Sequence, residues 1–148
     1  MRTREIIATI FCVVLTTACQ NETTKDNTVL LSKDLEVSES IKRDFANATE
    51  KNYNSEKSFD DIGATFNINV KTLEKDSLHS VIKNITITLL KGAKNYEFHS
   101  VLRGQQANHG TETSSIVTVG YYTEKTIGKE SVTKVFTVTS KGNVIEIK

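Results

Sequence analysis

Hydrophobic and polar residues alternate with a period of two through most of the chain after residue 64. Phe66, Ile68 and Val70 are separated by asparagines, which is the pattern of a strand with one buried face. Similar alternation or β-branched enrichment recurs in five later segments, so the sequence predicts about six strands. These later segments are 85–89, 96–100, 116–123, 132–138 and 144–147.

Short polar segments that contain glycine separate several of these strands. The segments around Gly92, Gly128 and Gly142 predict tight links between antiparallel neighbours. One long polar connection is predicted at 104–113. Long loops on rigid sheets often carry binding sites, although a plain surface loop is the more common case.

Residues 32–51 carry a helical pattern instead. Val37, Ile41 and Phe45 recur every four residues, which places them on one narrow apolar stripe, and Ser32 is a suitable N-cap. The sequence therefore predicts an α+β fold, with one N-terminal helix packed on a curved antiparallel sheet of about five to six strands. The alternative is a β-sandwich with a terminal helix.

The N-terminal residues have the order of a secretory signal. Arg2 and Arg4 precede an apolar run at 6–15, and small or polar residues follow it up to Cys19. The apolar run is too short to cross a bilayer core, which needs about 20 residues. We therefore predict a signal peptide at 1–18, a lipidated Cys19 with a flexible tether at 19–31, and a single domain at 32–148.

The segment Leu15-Thr16-Thr17-Ala18-Cys19 resembles the lipobox of bacterial lipoproteins. The resemblance implies cleavage before Cys19 and several acyl chains on this residue, and hence a membrane partner. Thr16 departs from the family pattern, which prefers leucine three residues before the cysteine. Gln20 stands where aspartate would imply inner-membrane retention, so in a Gram-negative host the resemblance implies the outer membrane, facing the periplasm.

The order of one helix followed by a strand meander resembles the cystatin-like and NTF2-like small domains. That resemblance implies a groove between the helix and the sheet where ligands or partners bind. The candidate lining residues are aromatic: Phe66, Tyr96, Phe98 and Tyr122. An ordinary role in the core is the competing interpretation of the same residues.

Charge and histidine content limit the kinds of partner and metal site that the sequence predicts. The 148 residues have a formal net charge of +1, which falls to about zero without the signal peptide, so nucleic acid is not an expected partner. The histidines, His79, His99 and His109, have no metal-site spacing. A zinc site at His99, His109 and Glu112 is conceivable, but surface histidines are the commoner case.

No phosphate-binding glycine loop and no nucleophile elbow is present in the sequence. Asp60 and Asp61 fit a turn better than an active site. We therefore predict no catalytic residues, no metal and no cofactor, and expect a non-catalytic binding or assembly module of the cell envelope with an unidentified protein partner. The alternatives are a small-ligand binder that uses the groove and, less favoured, an NTF2-like enzyme.

Overall fold

The computed structural model describes residues 27–92, 96–109, 112–124 and 127–148, and describes 103–109, 112 and 124 by their backbone alone. Within these residues the chain forms eight strands and one short helix. The elements are β1 (Thr28–Asp34), α1 (Glu39–Asp44), β2 (Thr49–Phe59), β3 (Ala64–Glu74), β4 (Ser80–Lys91), β5 (Tyr96–His109), β6 (Glu112–Glu124), β7 (Lys129–Thr139) and β8 (Val144–Ile147).

The strands form two four-stranded antiparallel sheets. The first has the order β2-β3-β4-β1 and the second has the order β5-β6-β7-β8. One parallel pair, Ser80 with Glu112, joins β4 to β6. The hydrogen-bonded ladder is therefore formally continuous, but side chains of the two halves pack against each other as in a sandwich.

The core lies between the two sheets. Phe66 and Ile68 of the first sheet, and Val117, Val119 and Phe136 of the second, have no measurable solvent exposure. Their spacing of two places each set on the inner face of its strand. Full burial of such side chains contributes about 1.5–3 kcal/mol each, so these inner faces hold the two sheets together.

The predicted α+β fold is wrong. The predicted helix at 32–51 contains the end of β1, the six-residue helix α1 and the start of β2, and no residue of α1 is buried. The cap of α1 is Ser38, whose hydroxyl accepts from the Ile41 amide, whereas Ser32 lies in β1 opposite Thr86. The two sheets are closer to the alternative, but the described residues contain no terminal helix of the kind that it included.

Strand pairing explains why the helical stripe did not form a helix. β1 pairs with β4, and β2 pairs with β3 over eleven consecutive residue pairs. This pairing satisfies the backbone of both segments and overrides the local helical preference of a short polar stretch. β1 begins at Thr28, so the sheet starts within the segment predicted as tether.

Two of the predicted connections are also corrected. The link after Gly92 does not join sheet neighbours, because β4 and β5 belong to different sheets. Most of the predicted long loop at 104–113 is strand, since β5 continues to His109 and β6 begins at Glu112. The links at Gly128 and Gly142 do join antiparallel neighbours, as predicted. Each of the six predicted strand segments also lies within an observed strand.

Candidate functional site

The structure separates the four residues predicted to line a groove. Phe66 is fully buried in the core, with its ring centroid 5.7 Å from that of Phe98, and Tyr96 packs 5.9 Å from Phe98. Tyr121 completes this aromatic cluster, whereas Tyr122 lies on the opposite face of β6 and is partly exposed. Three of the four therefore belong to the core, and the four do not line one cavity.

A groove of about 700 Å³ does exist, but on another side of the domain. It lies between the segment that follows β1 and the ends of β3 and β4. Its cations are already paired, since Lys42 contacts Glu39 and Lys83 contacts Glu50, each at 2.6 Å. Its lining residues are Asp34, Leu35, Glu36, Val37, Ser38, Glu39, Lys42, Leu73 and Lys83. The charges that line this groove largely satisfy one another, so its geometry does not specify a ligand.

The most strongly perturbed carboxylate is Glu74, at the end of β3. Its side chain is 6% exposed and accepts hydrogen bonds from Lys51, Tyr53 and Lys141. The ammonium groups of Lys51 and Lys141 lie 2.7 Å and 3.0 Å from the carboxylate oxygens. We call these four residues the Glu74 cluster. Because Lys141 belongs to the β7–β8 turn, the cluster fastens that turn to the first sheet.

The electrostatics of the Glu74 cluster fit a structural role. Burial alone would raise the pKa of Glu74. The hydrogen bonds from Lys51, Tyr53 and Lys141 lower it by more than burial raises it, so the pKa of Glu74 is about 2. The hydrogen bond to this carboxylate also raises the pKa of Tyr53. A carboxylate with so low a pKa stays ionised near neutral pH, so it is poorly matched to general acid or base catalysis.

A second carboxylate with a low pKa, Asp76, lies in the β3–β4 turn. Hydrogen bonds from the backbone amides of His79 and Leu78, and from the His79 ring, lower the pKa of Asp76 to about 2. The His79–Asp76 pair resembles the orienting half of a hydrolytic triad. However, the neighbouring Ser80 is buried and its hydroxyl bonds to Ser140 at 2.7 Å, so Ser80 is not placed as a nucleophile for this pair. The hydrogen bonds of Asp76 to the His79 and Leu78 amides stabilise the turn instead.

The three histidines lie on separate elements. His79 is in the β3–β4 turn and His99 is on β5, whereas the side chains of His109 and Glu112 lie outside what is described. Among the described residues, no group of three or more histidine, cysteine, aspartate or glutamate side chains is placed to hold a metal ion. The conceivable zinc site therefore stays a sequence hypothesis. Of the two aspartates that the sequence places in a turn, Asp61 lies in the β2–β3 turn and forms an ion pair with Lys134.

The outer face of the first sheet is covered by polar side chains that bond to one another. Asn69 donates to Asn54 at 2.8 Å, and Asn84 donates to Asp34 at the same distance. Thr86 extends the second of these networks by donating to Asn84 at 3.0 Å. These side chains satisfy one another, as expected of a sheet surface that meets water. Val29, opposite Thr88, is an exposed apolar residue on the same face.

The outer face of the second sheet is different, and we call it the aliphatic face. Its two central rows carry mainly aliphatic and hydroxyl side chains, and the register also places two charged residues of β5 on this face, Glu97 opposite Tyr122 and Arg103 opposite Ile116. One row across all four strands consists of Val101, Thr118, Val135 and Ile147, and the next row contains Ile116, Thr137 and Ile145. Towards the other end of the face, one row contains His99, Gly120 and Thr133, and the next contains Glu97, Tyr122 and Ser131.

The aromatic end of the aliphatic face depends on a glycine. The rings of His99 and Tyr122 stack with centroids 5.1 Å apart and planes 22° apart. A Cβ at position 120 would lie 2.3 Å from the His99 ring, so only glycine lets the imidazole lie against the strand. Val101, Ile116, Tyr122, Ile145 and Ile147 are all between 37% and 57% exposed. Together they form a contiguous surface of the kind that marks interaction sites.

Sequence reasoning missed the aliphatic face, although β6 carried a signal for it. Ile116 and Val117, and likewise Tyr121 and Tyr122, are adjacent large residues that point to opposite faces. In a two-layer domain, only one of those faces can enter the core. The other face must meet solvent or a partner.

The anchor residue Cys19 lies outside the described residues. None of the described helices has the length and apolar content to cross a bilayer. Comparisons with protein-family models, with curated proteins and with solved structures find no match for this chain.

Proposed function

We propose that the protein is a membrane-anchored envelope lipoprotein whose two-sheet domain is a non-catalytic binding or assembly module. Acyl chains on Cys19 would hold it to the membrane, in the outer membrane if the host is Gram-negative. The order of basic, apolar and small residues that ends at Cys19 supports the anchor. One acyl chain binds a membrane only marginally, so the several chains that the lipobox resemblance implies would make attachment permanent.

The contrast between the two outer faces is the observation that carries the binding role. The first sheet presents hydrogen-bonded asparagines, as in the Asn69–Asn54 pair. The second sheet presents half-exposed Val101, Ile116 and Ile145 in adjacent rows. In a domain with no partner both faces would meet water, which solvates polar groups better than aliphatic ones, so the exposed aliphatic side chains of the second sheet are more typical of an interaction surface.

The surroundings of Glu74 and Asp76 account for the low pKa values of both carboxylates, which supports a role without catalysis. Glu74 is held ionised by two lysines, and Asp76 braces a turn. Neither carboxylate has a pKa near neutral pH, which general acid–base chemistry would use. A binding surface therefore accounts for more of the described features than an active site does.

Mass spectrometry of the protein purified from membranes tests the anchor. We expect a mature N terminus at Cys19 that carries acyl chains, and we expect Cys19→Ser to abolish both the modification and the membrane fraction. Recovery of an unmodified chain, or of a chain that begins elsewhere, would overturn the anchor.

Site-specific photo-crosslinking in cells tests the binding role. A photoreactive amino acid at Ile145 on the aliphatic face should give discrete protein adducts. The matched control is Thr88, which is partly exposed on the outer face of the first sheet. Equal adducts from both positions, or none from Ile145, would contradict the proposal.

A further inference from the structure

We infer that the domain stands end-on on the membrane, with Ile127 of the β6–β7 turn in contact with the lipid. We call the end of the domain that carries this turn the Ile127 end. The inference rests on the proposed function in one respect, which is that Cys19 carries acyl chains. It adds the part of the domain that meets the lipid surface. Three observations support it: where the chain from Cys19 enters the domain, how long that chain is, and how exposed Ile127 is.

The start of β1 and the β6–β7 turn lie at the same end of the domain. Thr28 pairs with Leu89, close to the end of β4. β4 runs parallel to β6 where these two strands pair, so both strands end on the same side of the domain. The turn that follows β6 leads into the antiparallel strand β7 and is therefore on this side too. The chain from Cys19 thus enters the domain at the Ile127 end.

The length of the chain between Cys19 and Thr28 opposes the inverted orientation. Thr28 is nine residues after Cys19, so the chain between them spans at most about 32 Å. Leu89, the partner of Thr28, is likewise nine residues from Ser80 at the start of β4, which is about 30 Å along the strand. A domain that rested on the β3–β4 turn would therefore hold Thr28 more than about 30 Å above the membrane. Only a fully extended chain would reach, at a cost in conformational entropy.

Ile127 is the most exposed large apolar side chain among the described residues, at 94%. A Cβ added to the neighbouring Gly128 would meet nothing within 4 Å, so the turn projects from the domain. Apolar side chains of interfacial segments enter a membrane to a depth of about 5–10 Å, which a projecting turn can reach without a change of fold. The ion pair beside the turn, Lys129 with Glu97 at 3.2 Å, is neutral as a pair and does not oppose anionic headgroups.

One apolar contact suffices to select the orientation, because the acyl chains on Cys19 already hold the domain at the surface. Confinement raises the effective concentration of lipid around the turn, so Ile127 does not have to supply the membrane binding itself. In the end-on orientation the strands run away from the membrane, and the outer faces of both sheets point along its plane. The aliphatic face is then presented to neighbouring envelope proteins and is not covered by lipid.

Tryptophan fluorescence of the acylated full chain in vesicles tests this inference. The protein has no tryptophan, so Ile127→Trp carries a single fluorophore. The matched control is Leu78→Trp, because Leu78 is 62% exposed in the β3–β4 turn at the opposite end. In vesicles of phosphatidylethanolamine and phosphatidylglycerol, added brominated phosphatidylcholine should quench Ile127→Trp at least about twofold and leave Leu78→Trp unchanged. Since tryptophan itself prefers interfaces, only the difference between the two variants reports the orientation.

A third variant, Ile145→Trp, reports a domain that lies on its aliphatic face. Stronger quenching at position 145 than at position 127 would overturn the inference, as would equal quenching at positions 127 and 78. Circular dichroism must show that each variant folds, which the exposure of Ile127 favours. If Ile127→Trp does not fold, a fluorophore attached to Ile127→Cys carries the same test.

Flotation of the same vesicles reports separately on the anchor. A chain that floats with the vesicles but shows no quenching at position 127 would refute the end-on orientation alone. A chain that does not float would refute the anchor, and this inference with it.

Discussion

Replacement of Glu74 by glutamine should remove a defined share of the stability of the domain. The pKa of Glu74 in the folded protein is about 2, against 4.5 for an ordinary glutamate. This difference corresponds to about 3 kcal/mol of unfolding free energy at neutral pH. Glutamine keeps the shape and can still accept from Tyr53, but it leaves Lys51 and Lys141 without their counter-charge. We expect Glu74→Gln to lower the unfolding free energy by about 3 kcal/mol at pH 7.

The sign of the pH dependence follows from the lowered pKa. Because the unfolded chain binds a proton at this carboxylate more readily than the folded chain, its stabilising effect is complete above pH 4.5 and is lost as the pH falls towards 2. The difference between wild type and Glu74→Gln should therefore fall from about 3 kcal/mol at pH 5 to about 1.5 kcal/mol at pH 3.

Urea unfolding followed by circular dichroism at several pH values measures this difference directly. Glu56→Gln is the control, because Glu56 is an exposed carboxylate on the outer side of β2, the same strand that supplies Tyr53. Its removal changes the net charge equally, and its effect on stability should stay within about 0.5 kcal/mol. A constant difference between wild type and Glu74→Gln from pH 5 to pH 3 would refute the reasoning, since the lost stability would then not come from the ionised carboxylate.

Two further predictions concern the turns and the core, and urea unfolding measures both. Gly142→Ala should lower the unfolding free energy by at least about 3 kcal/mol, because position 142 has a φ of 78° and the added Cβ would lie 2.4 Å from that of Tyr53. Gly128→Ala should lower it by only about 1 kcal/mol, because position 128 has a similar φ of 81° but open space around it. Phe66→Ala should cost about 3–5 kcal/mol and Tyr122→Ala less than about 1 kcal/mol. Equal losses within either pair would contradict the packing described for those residues.

The strands that the sequence predicted are those whose inner residues are strongly apolar. In β3 and β4, residues such as Ile68 and Ile87 repeat at a spacing of two, and the core position follows from that pattern alone. β2 lacks this signal, because its inward positions include Lys51, Tyr53 and Lys57. Such inward-pointing charges are common on edge strands, where they discourage pairing with another chain.

Longer-range contacts decided the features that the sequence could not predict. The Glu74 cluster brings together β2, the end of β3 and the turn after β7, and no local pattern relates positions 51, 74 and 141. The same limit applies to the link after Gly92. A glycine-containing turn indicates a reversal of direction, but it does not specify whether the next strand joins the same sheet or the facing one.

Tyr122 was predicted to line a groove, but it lies on the outer face of the second sheet. The reason for this error bears on the function of the domain. In β6 the two faces read Val117, Val119 and Tyr121 on one side, and Ile116, Thr118, Gly120 and Tyr122 on the other. A period of two separates these sets but does not rank them, since both contain large apolar residues. A strand that is apolar on both sides normally lies in the middle of three layers. Here it lies in one of two layers, and its outer side, with Ile116 and Tyr122, is the surface that we propose binds a protein partner.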